Sequence, residues 1–293
     1  MTKAKPQQAP FERGLVRRRR ARGYNMGGDN FLYGRYADDV AARVLDVNRN
    51  FEHVLILGNA DLGRLVAKKL GEKFGHIIFA DHSSNPAGLD LTCDEEALPF
   101  KPESFDLVIN LLSLHGVNNV PQALAFMRRL LKPDGLFIAS LFGGNTLGEL
   151  RHVLYAAEDE VYGRVSPRVS SMIRLDQATA LLSACGFTLP VADRDVVMVM
   201  YTKLTTLYTD LRRMGETNIL SARATSSVSR KFFTKVAEIY RRDHGDDAGK
   251  YKVSFETLWL TGWAPHPDQP KPLKPGSAKI SLADALGVKE EKL

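Results

Sequence analysis

The segment Gly58-Asn59-Ala60-Asp61-Leu62-Gly63 follows the short apolar run 53–58 and precedes a helical pattern. A glycine at such a turn lets backbone pass close to a ligand, and the N–H groups opening the next helix favour an anionic or carboxylate group. Asp81 ends a second apolar run, where a carboxylate can accept both hydroxyls of a ribose, and His82 follows it. Asp94 and Glu95 open the stretch Asp94-Glu95-Glu96-Ala97-Leu98-Pro99-Phe100. An acid beside an apolar wall there suits an adenine amino group. Asn110 and Leu111 lie at the end of a further apolar run, and His115 just beyond it is the candidate to orient a substrate or take a proton. Each residue also has a plainer reading. Asp81-His82-Ser83-Ser84 is a capping type of sequence, the acidic stretch suits a solvated loop, and His115 suits a structural role.

These residues need elements to position them. The runs 53–58, 76–81 and 105–112 are rich in β-formers, the last apolar on both faces like a central parallel strand. The short stretch 88–91 and the run 136–142 add two more strands. Helical spacing of apolar residues marks 31–48, 62–74, 121–131, 146–162 and 175–184. Lys132-Pro133-Asp134-Gly135 reads as a turn. Strands alternating with helices predict an α/β, Rossmann-like, mainly parallel sheet of seven strands with a reversed strand at the end. In such a sheet ligands bind beyond the carboxyl ends of the strands, where the strand order switches. The last two strands are expected near 191–201 and 251–261. Between them 203–243 forms a helical insertion covering the pocket.

The expected organisation is a disordered tail over 1–10, a basic arm and cap helix over 11–50, the main domain over 51–263 and an extended tail over 264–293. The chain of 293 residues carries a net charge of +6, and much of the excess lies at Arg17, Arg18, Arg19, Arg20 and Arg22. This run admits contact with an acidic partner or a peripheral membrane surface; the other reading is a solvated arm. Lys271, Lys274 and Lys279 add charge in the tail. No apolar run is long enough to span a membrane, and no secretory signal is visible. Cys93 and Cys185 are too few and too far apart for a zinc site or a disulfide framework. No metal site and a cytoplasmic location are therefore expected.

Taken together, these residues resemble the class I S-adenosylmethionine-dependent methyltransferases of the methyltransferase type 11 group. The order matches: a glycine loop, an acid ending the second strand, an acid before Leu98-Pro99-Phe100, then Ser104-Phe105-Asp106-Leu107-Val108 and Leu131-Lys132-Pro133-Asp134-Gly135-Leu136-Phe137. A narrower likeness rests on Phe11-Glu12-Arg13 with the Arg run, on Ser113-Leu114-His115, Val117-Asn118, Gly143-Gly144-Asn145-Thr146-Leu147 and Glu149-Leu150-Arg151. It extends to Gly262-Trp263 and His266-Pro267-Asp268-Gln269-Pro270-Lys271-Pro272, with Gly276-Ser277-Ala278. These are similar to the methyltransferase-like assembly factors of respiratory complex I and their alphaproteobacterial relatives. The biotin-pathway methyltransferase acting on a malonyl carrier protein is similar at a greater distance.

The resemblance implies an S-adenosylmethionine site formed by Gly58, Asn59, Ala60, Asp81, His82, Asp94, Glu95, Asn110 and Leu111. It also implies a protein substrate, a respiratory-complex subunit, with hydroxylation of an arginine in the mitochondrial relatives. The sequence departs from the family loop. Ala60 and Leu62 stand where the later glycines fall, Ile56 where the leading acid falls, and Gly116 and Asn119 replace an aromatic and an acid after His115. Bulky Leu62 is expected to crowd the ligand, unless Gly63 compensates by a one-residue shift. Two readings follow: a methyltransferase-type enzyme, and a binding scaffold or assembly chaperone that keeps the fold without turnover. Nucleic-acid binding has little support, since no Asn-Pro-Pro-Tyr-like motif is present and the charge is confined to the arm and tail. A dinucleotide dehydrogenase lacks its Gly-x-Gly-x-x-Gly loop.

Overall fold

The computed structural model describes residues 9–28, 30–84 and 87–270. The expected tail over 1–10 falls mostly outside them, as do Lys271, Lys274, Lys279 and the rest of the tail from 271 on. Two helices come first, α1 (Arg13–Met26) and α2 (Phe31–Leu45). Then follow β1 (Phe51–Gly58), α3 (Ala60–Leu70), β2 (Phe74–Asp81), β3 (Leu91–Thr92) and β4 (Phe105–Leu111). The chain continues through α4 (Val120–Leu130), β5 (Leu131–Phe142), α5 (Gly148–Tyr162) and α6 (Leu175–Ala184). It closes with β6 (Thr188–Tyr201), α7 (Leu204–Arg213), α8 (Arg230–His244) and β7 (Tyr251–Trp263).

The strands form one seven-stranded sheet in the order β3-β2-β1-β4-β5-β7-β6. β1 to β5 pair in parallel, as in Leu55↔Ile78 and Leu55↔Val108, and β7 runs antiparallel between β5 and β6. This is the mainly parallel sheet with a reversed end that the alternation predicts. The Lys132–Gly135 turn is absorbed into β5, with Asp134 held at φ 59°.

One face of the sheet packs on α2, α3, α5, α7 and α8, with Tyr36, Leu62, Phe142, Phe232 and Trp259 buried in that core. The other face packs on α4 and α6 around Leu55, Val108, Leu124, Phe137 and Leu182. The Tyr36 and Trp259 rings meet edge to face at 5.8 Å, and the Thr257 hydroxyl donates to the Tyr36 oxygen at 2.8 Å. The chain runs outward from β1 to β3 and then returns to β4. The order therefore switches between β1 and β4, and a crevice opens beyond their carboxyl ends.

The element missing from the sequence reading is α1, which the sequence presents as a basic arm. Its Leu15, Val16 and Gly23 are buried. At Gly23 the helix runs so close to α7 that a Cβ would stand 2.5 Å from the Arg213 carbonyl oxygen. At the crevice, Gly58 adopts φ 96°, and a Cβ there would overlap the Leu111 carbonyl oxygen. That oxygen accepts the Asn59 N–H at 2.9 Å, which ties the β1 turn to the end of β4. Gly58→Ala is expected to lower stability by about 1–3 kcal/mol in urea denaturation, through positive φ and the lost close approach. A change inside ~0.5 kcal/mol would mean that the turn relaxes freely.

Candidate functional site

Asn59 caps α3: its side chain accepts the Leu62 N–H at 3.0 Å and donates to the Tyr33 oxygen at 2.6 Å. The cap starts the helix so that Leu62 turns away from the crevice into the core under α2, where it is fully buried. The expectation that Leu62 crowds a ligand is therefore corrected. Gly63 lies on the same helix, where a Cβ would stand 2.9 Å from the Ile56 side chain, so it serves helix–strand packing. Ala60 stays at the crevice, and its backbone N–H points in.

What fills the crevice is α1. Arg13, Arg17, Arg20 and Tyr24 recur at helical spacing and share its inward face. The Tyr24 hydroxyl accepts the Ala60 N–H at 3.0 Å and donates to Asp81 Oδ2 at 2.5 Å. One phenol oxygen thus spans the gap between the β1 turn and the end of β2. Arg20 is buried; its Nη2 donates to the Leu112 carbonyl at 2.9 Å, and its Nη1 lies 3.5 Å from Asp81 Oδ1 and 3.8 Å from Glu95 Oε1. Arg13 forks onto Asp94 through Nε at 3.2 Å and Nη2 at 2.5 Å, and the same Nη2 reaches Glu95 Oε2. Its Nη1 donates to the Gly116 carbonyl at 2.8 Å. Arg17 Nε donates to the His82 carbonyl at 3.0 Å.

Asp81, His82, Asp94 and Glu95, all singled out by the sequence, are thus gathered in one place. Asp81 Oδ1 also accepts the Ser83 N–H at 2.8 Å. His82 meets the Arg13 carbonyl through Nε2 at 3.1 Å, and its Nδ1 lies 3.3 Å from Asp94 Oδ2. His82, Asp94 and Glu95 have the residue types of a cation site, but Arg13 occupies the space among them. Asn110 is fully buried and exchanges hydrogen bonds with the Ser113 hydroxyl at 2.7 and 3.0 Å. With the Leu111 carbonyl bonded to Asn59, neither faces free space.

The electrostatics follow from this pairing. Burial alone would raise the Asp94 carboxyl, but hydrogen bonds from Arg13 and the Glu96 N–H, with the Arg13 charge, hold it below its ordinary value. Burial would raise Glu95 as well, and the Arg20 and Arg13 charges again outweigh it. Burial and the Asp81 charge push the Tyr24 phenol well above its usual range, so it stays a neutral donor. Burial, then the Arg13 charge, lowers His82.

His115 faces a different space. Its Nδ1 lies 3.4 Å from the Phe142 N–H, which donates to it, so Nε2 carries the hydrogen and donates to Glu216 Oε2 at 3.0 Å. The ring leans on Phe142 at 5.0 Å. Both residues line a mainly apolar cavity of about 170 Å³, together with Leu147, Val169, Tyr208 and Phe255. Glu216 lies in the insertion that the sequence places over a pocket, though nothing in its spacing marks it.

The comparisons bear on this arrangement. A family model described as a methyltransferase domain matches residues 68–139. The arginine-hydroxylase NDUFAF5, mitochondrial, of Danio rerio is 35% identical over 266 residues, covering 87% of this chain and 82% of that protein. The chain belongs to the NDUFAF5 family of methyltransferase-fold proteins. The human NDUFAF5 is likewise 35% identical, over 87% of this chain and 76% of its own length. A malonyl-[acyl-carrier protein] O-methyltransferase of Xylella fastidiosa is 34% identical over 63% of this chain and 60% of that enzyme. The solved structure of the YcgJ protein from Bacillus subtilis shares the fold, with a TM-score of 0.52 at 14% identity over 78% of this chain and 99% of that one. Among the described residues no helix is long and apolar enough to cross a membrane.

S-adenosylmethionine, which members of this fold class use, does not fit the crevice as it stands. The Ala60 N–H and the Asp81 carboxylate are bridged by Tyr24, and Asp94 and Glu95 are bonded to Arg13. Arg20→Ala would remove a buried charge from beside Asp81 and Glu95, which keep Tyr24, the Ser83 N–H and Arg13, and is expected to cost about 1.5–3 kcal/mol in denaturant unfolding, whereas exposed Arg18→Ala should change stability by less than ~1 kcal/mol. Equal effects would place Arg20 in solvent. Asp94 and Glu95 are both depressed in the folded state. Their stabilisation is complete above their unfolded values of about 4 and fades as pH falls through the lower folded ones. Hydrogen exchange on acidification is expected to show α1 opening before the sheet; simultaneous opening would contradict the pairing.

Proposed function

We propose that this chain is an assembly factor that holds a protein partner, a subunit of a respiratory complex under construction, and does not turn over S-adenosylmethionine. The observation that carries this reading is the closure of the crevice by Tyr24 and Arg20, which satisfies the groups a cofactor would use. The departure of the glycine loop at Ala60, which stays at the crevice with its N–H already taken by Tyr24, agrees with it. The partner enters this reading through the family, whose named members include arginine hydroxylases. The cavity beside His115 offers it a seat: apolar walls with the Glu216 carboxylate suit a side chain with an apolar stem and a cationic tip.

A second reading is catalytic, and the same cavity favours it. If α1 leaves the crevice, the partner's guanidinium would lie beside the His115–Glu216 pair. The cofactor would then be held by Asp81, Asp94, Glu95 and the Ala60 N–H. When bound, its sulfonium would supply an electrophilic methyl group. The Glu216 carboxylate, held in place by the His115 Nε2 hydrogen, would orient the substrate.

Isothermal titration of the full chain with S-adenosylmethionine separates the two. The expected result is no saturable heat at millimolar ligand. A dissociation constant below about 100 µM, roughly −5.5 kcal/mol of binding, would overturn the scaffold reading and leave the catalytic one standing.

A further inference from the structure

While Arg13, Arg17, Arg20 and Tyr24 turn inward, Arg18, Arg19 and Arg22 lie on the outer side of α1. Arg19 Nη1 and Arg22 Nη2 converge on one atom, the Thr217 hydroxyl oxygen, at 2.6 and 3.0 Å. With both lone pairs of that oxygen engaged, its own hydrogen is left as a donor. The Arg19 Nε–H is buried with no hydrogen-bond partner among the described residues. Arg212, at the end of α7, adds a third guanidinium close enough for its charge to act on Arg22. Among the described residues none of Arg19, Arg22 and Arg212 has a carboxylate within ion-pair distance. The neighbouring Arg18 and Arg223 share the single carboxylate of Glu12.

Like charges held together repel, and the Glu12 carboxylate, already shared by Arg18 and Arg223, only partly offsets them at Arg19. Burial first, then the charges of Arg22, Arg223 and Arg18, lowers Arg19 below its ordinary value; burial, then Arg212, does the same to Arg22. A folded protein keeps such a cluster at a cost, unless an anion settles on it. The convergence of two guanidiniums on one hydroxyl, with the charge of a third close by, fits a compact oxyanion that accepts several hydrogen bonds at once. A phosphate group, with more than one negative charge near neutral pH, matches the excess better than a lone carboxylate.

We infer that Arg19, Arg22, Arg212 and Thr217 form a binding site for the phosphate group of a small soluble ligand. The site lies on the outer side of α1 and is independent of whether the crevice ever admits a cofactor. Thr217 also lines the cavity beside His115, so an occupied site would border the proposed partner's seat.

The test is a calorimetric titration of the full chain with inorganic phosphate, at ionic strength held constant with chloride, for wild type and for Arg19→Gln/Arg22→Gln. Far-UV circular dichroism checks that the variant is folded. Saturable binding to wild type, weakened about tenfold or more in the variant, is the expected result. Arg18→Gln, outside the convergence, should retain the wild-type affinity. No saturable binding, or equal binding by wild type and the double variant, overturns the site. A third arm uses phosphatidylglycerol vesicles. If they bind in an Arg19- and Arg22-dependent way while free phosphate does not, the small-ligand site is overturned and the surface is a membrane contact.

Discussion

Asp81 and Glu95 are almost completely buried beyond the ends of the central strands, and Asp94 sits half-buried beside them. Carboxylates removed from water must be answered by cations and donors, or the fold gives up several kcal/mol per group. Here the answer comes from within the chain. Arg13 and Arg20 bring the charge, Tyr24 brings a neutral donor, and all three ride on one helix. The placement of α1 is thus set mainly by charge pairing in the crevice, with Leu15 and Val16 adding a small apolar contact. The N-terminal segment is further sewn down where Phe11 and Asn118 exchange two hydrogen bonds and the Glu12 N–H reaches the Ile219 carbonyl.

This pairing gives the departures in the glycine loop a physical sense. The fold keeps the features that make a crevice: the positive φ at Gly58, the capped start of α3 and the Ala60 N–H aimed inward. It keeps the acids as well. What differs is the group that meets them. A ligand's hydroxyls and amino group would be one answer; a phenol and two guanidiniums are another. The Asp94-Glu95-Glu96 stretch is fully committed, since Glu96 in turn accepts the N–H groups of Asn118 and Asn119 at 2.7 and 2.9 Å. Among the described residues, His82 Nδ1 is a buried crevice atom left without a hydrogen bond, facing Asp94. The crevice is a nearly complete polar core.

α1 also divides the molecule's charge. Its inner arginines neutralise buried acids, and its outer ones add to Arg212 and Arg223 to make a surface with few acids of its own. The cavity beside His115 lies apart from the paired crevice, yet Glu216 is near enough for its charge to be felt by the buried Arg20. One helix therefore connects the closed crevice, the basic surface and the wall of the cavity.

The layered α/β fold was legible from sequence because it rests on local periodicity. The apolar runs 53–58 and 105–112 and the helical spacing at 121–131 are properties of a dozen residues at a time. The position of Asp81 was legible for the same reason, since it ends a strand that can be read on its own; the strand expected at 88–91 before Asp94 is only the two-residue β3, Leu91–Thr92, which exists through its pairing with β2. The fate of α1 was not legible. Arg13 meets Asp94 across 81 residues and Arg20 meets Asp81 across 61, and a run of arginines looks alike whether water or buried carboxylates surround it. The stripe Arg13, Arg17, Arg20 and Tyr24 at helical spacing was the available signal, but periodicity is usually sought in apolar residues. Leu62 was misjudged for the complementary reason: its burial was foreseeable, but the side to which it turns depends on how Asn59 caps the helix. Sequence fixes which groups a chain owns; docking of distant segments decides which of them face each other, because charge pairing depends on distance in space.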